Sequence, residues 1–296
     1  MSRKQKLIVI VGPTASGKSK LAVRLAKKID GEIISADSRQ VYRGLDVGTG
    51  KITKKEMRGI PHHLLDVADP KKDFNVIHFK NLAEEAIKTI TARRKIPILV
   101  GGTGFWIDTV VKNTAFPEVP PNPQLRKKLE KKTTHELFQI LIKLDPKRAA
   151  IIDSKNSRRL IRAIEIAKTL GAIPALTAQP PYRTLWIGIN TPNSVLQQKI
   201  KKRLASRIQN GMIKEAQQLH KNGLSWKRFR ELGLEYRFCA DLLTKKISHE
   251  KFSEQLYYAI IHYAKRQRTW FERNHAIHWI TTGKQAEQLT KKFLKE

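Results

Sequence analysis

The chain has 296 residues, 40% of them hydrophobic, with one cysteine and 58 Lys and Arg against 26 Asp and Glu, a formal net charge of +32. That length can bury a full core in one or two domains. The lone Cys239 excludes an internal disulfide and a multi-cysteine zinc site, and reads as a small buried apolar residue. No apolar run approaches the ~18–20 residues of a membrane span, and the expected compartment is the cytoplasm. The positive excess is out of proportion for a small-metabolite enzyme and points to a polyanion such as RNA, although charge alone does not choose RNA over DNA. A lysine-rich solvated surface would account for part of it.

Residues 6–11 read as a strand, whose short apolar run excludes a signal peptide. Residues 12–19 follow as Gly-Pro-Thr-Ala-Ser-Gly-Lys-Ser, and a helix over 18–29 carries Leu21, Val23, Leu25, Ala26 and Ile29 on its apolar face. This is a phosphate loop between strand and helix, the context that gives the motif meaning. Gly12 and Gly17 permit the tight turn around Pro13, so that the backbone N–H groups of Thr14, Ala15 and Ser16 cradle phosphate oxygens. Lys18 adds a full charge, the helix its dipole, and the Ser19 hydroxyl is the expected Mg²⁺ ligand.

Residues 32–35 read as a second strand ending at Asp37, and residues 63–67 as a short third. A helix over 75–94 and a buried strand over 96–100 follow, the latter ending in Gly101-Gly102-Thr103-Gly104. The alternation predicts a P-loop NTPase-like α/β core with a parallel sheet. It breaks at Pro117, Pro120, Pro121 and Pro123. Helical patterns then cover 125–132, 135–144, 146–152 and 157–170, where Gly171 stops the last. A second linker holds Pro174, Pro180 and Pro181 before a strand at 185–189. Helices over 193–222 and 249–273 and a strand at 277–280 complete the pattern. The expected organisation is an α/β core of residues 1–116 and 183–296 around a helical insertion, 117–182.

Ligands of open α/β sheets bind at the carboxyl ends of strands. The phosphate loop, the run Asp37, Ser38, Arg39, Gln40, and Thr103 all lie at such ends and are expected to face one cleft. A small-molecule kinase is one reading of a phosphate loop. No acidic residue closes the strand at 96–100, however, and no water-activating glutamate stands out. If diphosphate is instead a leaving group, Lys18, Mg²⁺ and the loop N–H groups stabilise its developing charge. A base or acceptor must then orient the nucleophile, and Asp37 is the natural choice, with a place in the Mg²⁺ shell or a turn role as its alternatives.

On the helix at 157–170, Leu160, Ala163, Ile164 and Ala167 form an apolar stripe while Arg158, Arg159 and Arg162 cluster elsewhere. Three arginines suit phosphate or stacked-base contacts in RNA, or a solvated helix face. Arg126 is a weaker RNA candidate. Arg203 and Arg207 share an i, i+4 spacing, and at least one is expected to reach diphosphate or RNA. Adjacent His62 and His63 on a strand face opposite ways and make a poor metal site. Trp270 and Phe271 read as core more than as base-stacking platforms, although Lys265, Arg266 and Arg268 beside them favour an RNA-facing surface.

The chain resembles the tRNA dimethylallyltransferases. The segments are the phosphate loop at 12–19, Ile-Ser-Ala-Asp-Ser-Arg-Gln-Val-Tyr at 34–42, Asp-Val-Gly-Thr-Gly-Lys at 46–51 and Pro-His-His-Leu-Leu-Asp at 61–66. Val-Gly-Gly-Thr-Gly at 100–104, Asn-Ser-Arg-Arg-Leu-Ile-Arg-Ala-Ile-Glu at 156–165 and Ala-Lys-Arg-Gln-Arg-Thr-Trp-Phe at 264–271 follow in the family's order. The resemblance implies Mg²⁺-assisted transfer of a dimethylallyl group from dimethylallyl diphosphate to N6 of the adenosine 3′ of the anticodon, in tRNAs reading codons that begin with U. It implies that residues 12–19 with Arg203 or Arg207 hold the diphosphate, and that Asp37, Lys18 and Thr103 carry the chemistry. It further implies that Asp37, Ser38, Arg39, Gln40, Thr103 and Arg126, with Arg158, Arg159, Leu160, Ile161 and Arg162, meet the anticodon stem-loop. A monomer is expected. The run Leu-Gly-Leu-Glu-Tyr-Arg at 232–237 departs from the commoner family pattern and leaves Glu235 and Tyr236 without a role. The readings to be separated are tRNA prenyl transfer, prenyl transfer to free AMP or ADP, a small-molecule kinase, and a non-catalytic RNA-binding protein.

Overall fold

A strand that is buried and apolar from Leu7 to Val11 lies inside the sheet of the computed structural model, which describes residues 4–174 and 180–296. In chain order the first elements are β1 (Gln5–Val11), α1 (Lys18–Ile29), β2 (Gly31–Ala36), α2 (Lys54–Met57), β3 (His62–His63), α3 (Val76–Ala92), β4 (Ile96–Gly101) and α4 (Gly104–Val111). Then come α5 (Pro123–Leu129), α6 (Thr134–Leu144), α7 (Pro146–Ala149) and α8 (Ser157–Leu170). The remainder is β5 (Tyr182–Ile189), α9 (Asn193–Gln209), α10 (Met212–Lys221), α11 (Trp226–Leu232), α12 (Leu234–Leu243), α13 (His249–Glu272), β6 (Ile277–Ile280) and α14 (Gly283–Lys295). Among the described residues no helix is long and apolar enough to cross a membrane.

The strands form one sheet in the order β3-β2-β4-β1-β5-β6, every neighbouring pair parallel. A parallel strand inside the sheet is covered on both faces, so β1 reads as the unbroken apolar run Leu7 to Val11 rather than as an alternation. Leu7, Val9 and Val11 pack into one core with Ile34, Phe79, Leu99 and Trp106, while Ile8 and Ile10 pack into a second with Leu21, Leu25, Ile98 and Ile187. Each such aliphatic side chain contributes about 1.5–3 kcal/mol on burial.

Three expectations change. The strand expected over 63–67 is confined to His62–His63, because Leu64 and Asp66 adopt positive φ (64° and 58°), which ends extended pairing. The helix expected over 193–222 is two, α9 and α10, broken at Gly211 (φ 95°). The strand expected from 185 begins at Tyr182, whose partner is Gln5.

The chain divides into two compact units, one of Met1–Asn113 with Pro180–Glu296 and one of Thr114–Gln179. Residues 175–179 of the expected second linker lie outside the described residues. The smaller unit holds α5 to α8 around Leu129, Leu137, Leu141, Leu160 and Ile164. Asn122 and Asn156 cap α5 and α8 by accepting the N–H groups of Leu125 and Arg159. A full capping box of Thr133 and Glu136 starts α6.

Candidate active site

The carboxyl ends of β1, β2 and β4 open into a cavity of about 740 Å³ in the larger unit. The chain leaves β1 at Gly12 (φ 148°) and enters α1 through Gly17 (φ 96°), a left-handed cap that side chains bearing a Cβ rarely adopt. Thr14, Ala15, Gly17, Lys18 and Ser19 line the cavity. Gly12, Pro13 and Ser16 do not line it, but they shape the loop. The Pro13 carbonyl accepts from Ser16 N–H at 3.3 Å and from Lys18 Nζ at 2.6 Å. The buried Ser16 Oγ has no hydrogen-bond partner among the described residues. Loss of solvent, then the charge of Arg203, lowers the Lys18 pKa to about 7 against the opposing pull of Asp37.

Asp37 lies just past β2. Its Oδ1 accepts the N–H groups of Arg39 (2.9 Å) and Gln40 (3.3 Å). This turn fixes the carboxylate and leaves Oδ2 without a hydrogen-bond donor among the described residues. Asp37 and Gln40 line the cavity. Thr103, at the start of α4, accepts the Ser38 N–H through Oγ1 at 3.1 Å and so ties the ends of β2 and β4 together. Ser38 and Arg39 do not line the cavity; the Arg39 guanidinium donates to the Ser38 carbonyl at 3.3 Å.

The two arginines of α9 part company. Arg203 lines the cavity and donates to the Gly50 carbonyl at 2.8 Å. Arg207 is buried instead, its Nη1 donating to the Gly48 carbonyl (2.7 Å) and to Glu235 Oε1 (2.8 Å). Of the two, Arg203 is therefore the one at the cavity, while Arg207 does not line it and has Glu235 as its buried partner.

Sequence reasoning missed Gln267 and Tyr263 on α13, both of which line the cavity. Gln267 is 6% exposed, accepts the Thr14 N–H at 2.7 Å and donates to the Gly102 carbonyl at 2.9 Å. It thus joins the phosphate loop to the end of β4. The signal was present, because Gln267 shares a helical face with Ile260, Ala264 and Phe271, all buried. The charges of Lys265, Arg266 and Arg268 obscured it. Burial, then the charge of Asp37, raises the Tyr263 pKa, and its hydroxyl pairs with Thr103. Phe271 is core, while the half-buried Trp270 donates to Asp108 Oδ2 at 3.2 Å. His63 pairs with the buried Glu32 (2.7 Å) and His62 with the Ile60 carbonyl (2.8 Å), so both are engaged structurally. Burial pushes the Cys239 thiol up to about 12, as expected of an inert core cysteine.

In the smaller unit, Arg158 and Arg159 of α8 are exposed, with Arg159 3.9 Å from Asp153. Leu160 (0% exposed) and Ile161 (8%) belong to that unit's core, which corrects their assignment to an RNA-contacting surface. Arg126 and Arg162 converge on the buried Glu165, with contacts at 2.7 and 2.5 Å, and Arg162 also donates to the Val119 carbonyl. Burial acts to raise the Glu165 pKa. The hydrogen bonds of Arg126, the Asn122 N–H and Arg162 outweigh it and hold the carboxyl at about 2.

No three His, Cys, Asp or Glu groups converge as a metal cage among the described residues. A hard ion such as Mg²⁺ needs no such cage, since it keeps water and takes most of its oxygens from phosphate. The Ser19 hydroxyl and the Asp37 carboxylate, oxygen donors on one cavity, fit that requirement. The site therefore offers a cationic loop for a diphosphate and, across the same cavity, a fixed carboxylate with an open oxygen.

A family model described as IPP transferase matches residues 40–274. The chain is 43% identical over 290 residues to a protein of Treponema denticola named tRNA dimethylallyltransferase 2, covering 95% of this chain and 97% of that one. It is 42% identical to a tRNA dimethylallyltransferase 2 of Shewanella sediminis, over 93% and 92% of the two chains. Among solved structures it is similar to the tRNA isopentenylpyrophosphate transferase of Bacillus halodurans, with TM-score 0.76 and 36% identity over 99% and 97% of the chains. A eukaryotic dimethylallyltransferase acting on tRNA gives TM-score 0.84 at 25% identity, over 98% of this chain and 80% of that one.

Proposed function

The chain belongs to the family of IPP transferases that includes the tRNA dimethylallyltransferases, and from that membership we propose a chemistry for its cavity. The enzyme transfers a dimethylallyl group from dimethylallyl diphosphate to tRNA. The acceptor is N6 of the adenosine 3′ of the anticodon, in tRNAs reading codons that begin with U. The observation that carries the mechanism is the pairing, on one cavity, of the phosphate loop with an Asp37 carboxylate whose Oδ2 is open.

The adenosine must leave its stack to reach this depth, as chemistry on a base requires. Gln40 and the turn from Asp37 to Ser38 hold the base, with Thr103 beside the reacting centre. N6 attacks the carbon bearing the diphosphate, the carbon–oxygen bond breaks, and the electron pair leaves on the diphosphate. Asp37 Oδ2 accepts the hydrogen bond of N6 and then its proton. The N–H groups of residues 14–19, Lys18 and Arg203 stabilise the charge that grows on the leaving group. Ser19 would hold Mg²⁺ together with the substrate's phosphates, and the ion would supply further charge neutralisation when bound. The exposed Arg158 and Arg159 grip the RNA backbone. The reading has the enzyme act as a cytoplasmic monomer.

The test is incubation with Mg²⁺, dimethylallyl diphosphate and unmodified tRNA, followed by nucleoside mass spectrometry. The expected result is a dimethylallyl mass gain on adenosine from tRNA, with turnover lowered about 10²–10³-fold in Lys18→Ala. Asp37→Ala is expected to lose turnover while keeping tRNA affinity. Transfer to free AMP alone, or ATP-dependent phosphorylation, would overturn the reading.

A further inference from the structure

The Asp-Val-Gly-Thr-Gly-Lys run at 46–51 has no part in the chemistry above, yet it is anchored along its length by side chains from distant parts of the chain. The Glu215 carboxylate, in the first turn of α10, accepts three successive backbone N–H groups. Oε2 takes Asp46 (2.9 Å) and Val47 (2.7 Å), and Oε1 takes Gly48 (2.9 Å). A fourth donor, the hydroxyl of the buried Tyr236, reaches Oε1 at 2.7 Å. Arg207 donates to the Gly48 carbonyl and is itself held by Glu235. The nearly buried Lys51 closes the far end through the Tyr42 carbonyl, Asp46 and Asp66.

The two glycines of this strap sit directly against Tyr236 and Arg203. A Cβ on Gly48 would lie 2.7 Å from the Tyr236 hydroxyl, and one on Gly50 2.3 Å from the Arg203 guanidinium. Thr49, Gly50 and Ile52 line the cavity, and the Gly50 carbonyl is the acceptor that fixes Arg203. Charge-assisted hydrogen bonds to successive N–H groups set backbone position, whereas a long free arginine has little preference of its own.

We propose that Glu215 is a positioning residue: by clamping residues 46–48 it places the Gly50 carbonyl, and so aims Arg203 at the prenyl diphosphate. Glu215 touches no substrate and acts through the strap. Glu235 and Tyr236 are the supports of this clamp, which gives the unusual Leu-Gly-Leu-Glu-Tyr-Arg run a function. The proposal rests on the diphosphate-binding reading of Arg203.

The experiment is a double-mutant cycle on the full-length enzyme, combined with amide exchange. Glu215→Gln turns one acceptor oxygen into a donor facing backbone N–H groups. It is expected to speed exchange at residues 46–48 and to raise KM for dimethylallyl diphosphate on the order of tenfold, with little change in KM for tRNA. Tyr236→Phe removes one donor, keeps the core ring, and is expected to act in the same direction more weakly, which covers the case of a poorly folding Glu215 variant. In an Arg203→Ala background the effect of Glu215→Gln on KM is expected to vanish. Additive effects, or unchanged exchange at residues 46–48, overturn the proposal. If Arg203→Ala leaves KM unchanged while exchange still rises in Glu215→Gln, the strap stands and the diphosphate reading of Arg203 falls.

Discussion

Lys18 carries the sharpest consequence of its surroundings. Its pKa of about 7, against 10.5 for a free lysine, means that the empty loop holds a partly neutral amine at neutral pH. Burial and Arg203 penalise the charge, and an arriving diphosphate rewards it. Binding dimethylallyl diphosphate is therefore expected to take up a proton, with uptake growing from pH 6 towards 8 as more of the free enzyme is neutral, up to about one proton per site. Calorimetric titration in two buffers of different ionisation enthalpy measures this, and Lys18→Ala should abolish it. Uptake that is absent, or unaltered in the variant, would put the lysine's charge outside the binding step. Asp37 is different: its turn spends one oxygen on Arg39 and Gln40 and leaves the other without a donor among the described residues, so the orientation of the carboxylate is set by the chain itself.

Among the elements, α8 shows how a residue type misleads. Three arginines on one turn read alike in sequence, yet Arg158 and Arg159 face solvent while Arg162 joins Arg126 on the buried Glu165. Glu165→Ala leaves two guanidiniums uncompensated and is expected to destabilise α5 and α8 by about 2–3 kcal/mol, below the fully buried case because both arginines keep some solvent. Exchange mass spectrometry on peptides from 123–170 reads this, and unaltered protection would remove the ion triad from the unit's stability. The folded carboxyl sits at about 2 against 4.5 unfolded, so its contribution is complete above pH 4.5 and is lost as pH falls through 2. What was legible in the sequence was whatever local pattern dictates. The run in β1, the periodicity of α3, α8 and α13, and the strand ends carrying Asp37 and Thr103 all needed no distant partner. The clamp of Glu215 on residues 46–48, the partners of Gln267 and the contact of Arg207 with Gly48 were illegible because each joins groups more than 150 residues apart. The short β3 failed for a conformational reason, since positive φ at Leu64 and Asp66 leaves no compositional mark.

For the whole molecule, the charge of +32 predicts association with tRNA that weakens steeply with salt. Each phosphate contact to single-stranded RNA contributes about 0.7 to the slope of log K against log salt. Replacing Arg158 and Arg159 together by Ala should therefore flatten the slope by about 1.4 without unfolding the smaller unit. Filter binding at several salt concentrations checks this, and an unchanged slope would move the RNA off α8. The sheet order has a further consequence, for biosynthesis. β1, made first, pairs with β4 and β5, and β5 ends at Ile189, with all of Thr114–Gln179 synthesised in between. At the usual pace of a ribosome, β1 waits roughly 10–40 s for its second neighbour. Through that interval the most apolar strand of the nascent chain keeps one edge open, so the helical unit can fold before the core closes. Exposure of residues 5–11 is therefore expected to be greatest before the chain leaves the ribosome.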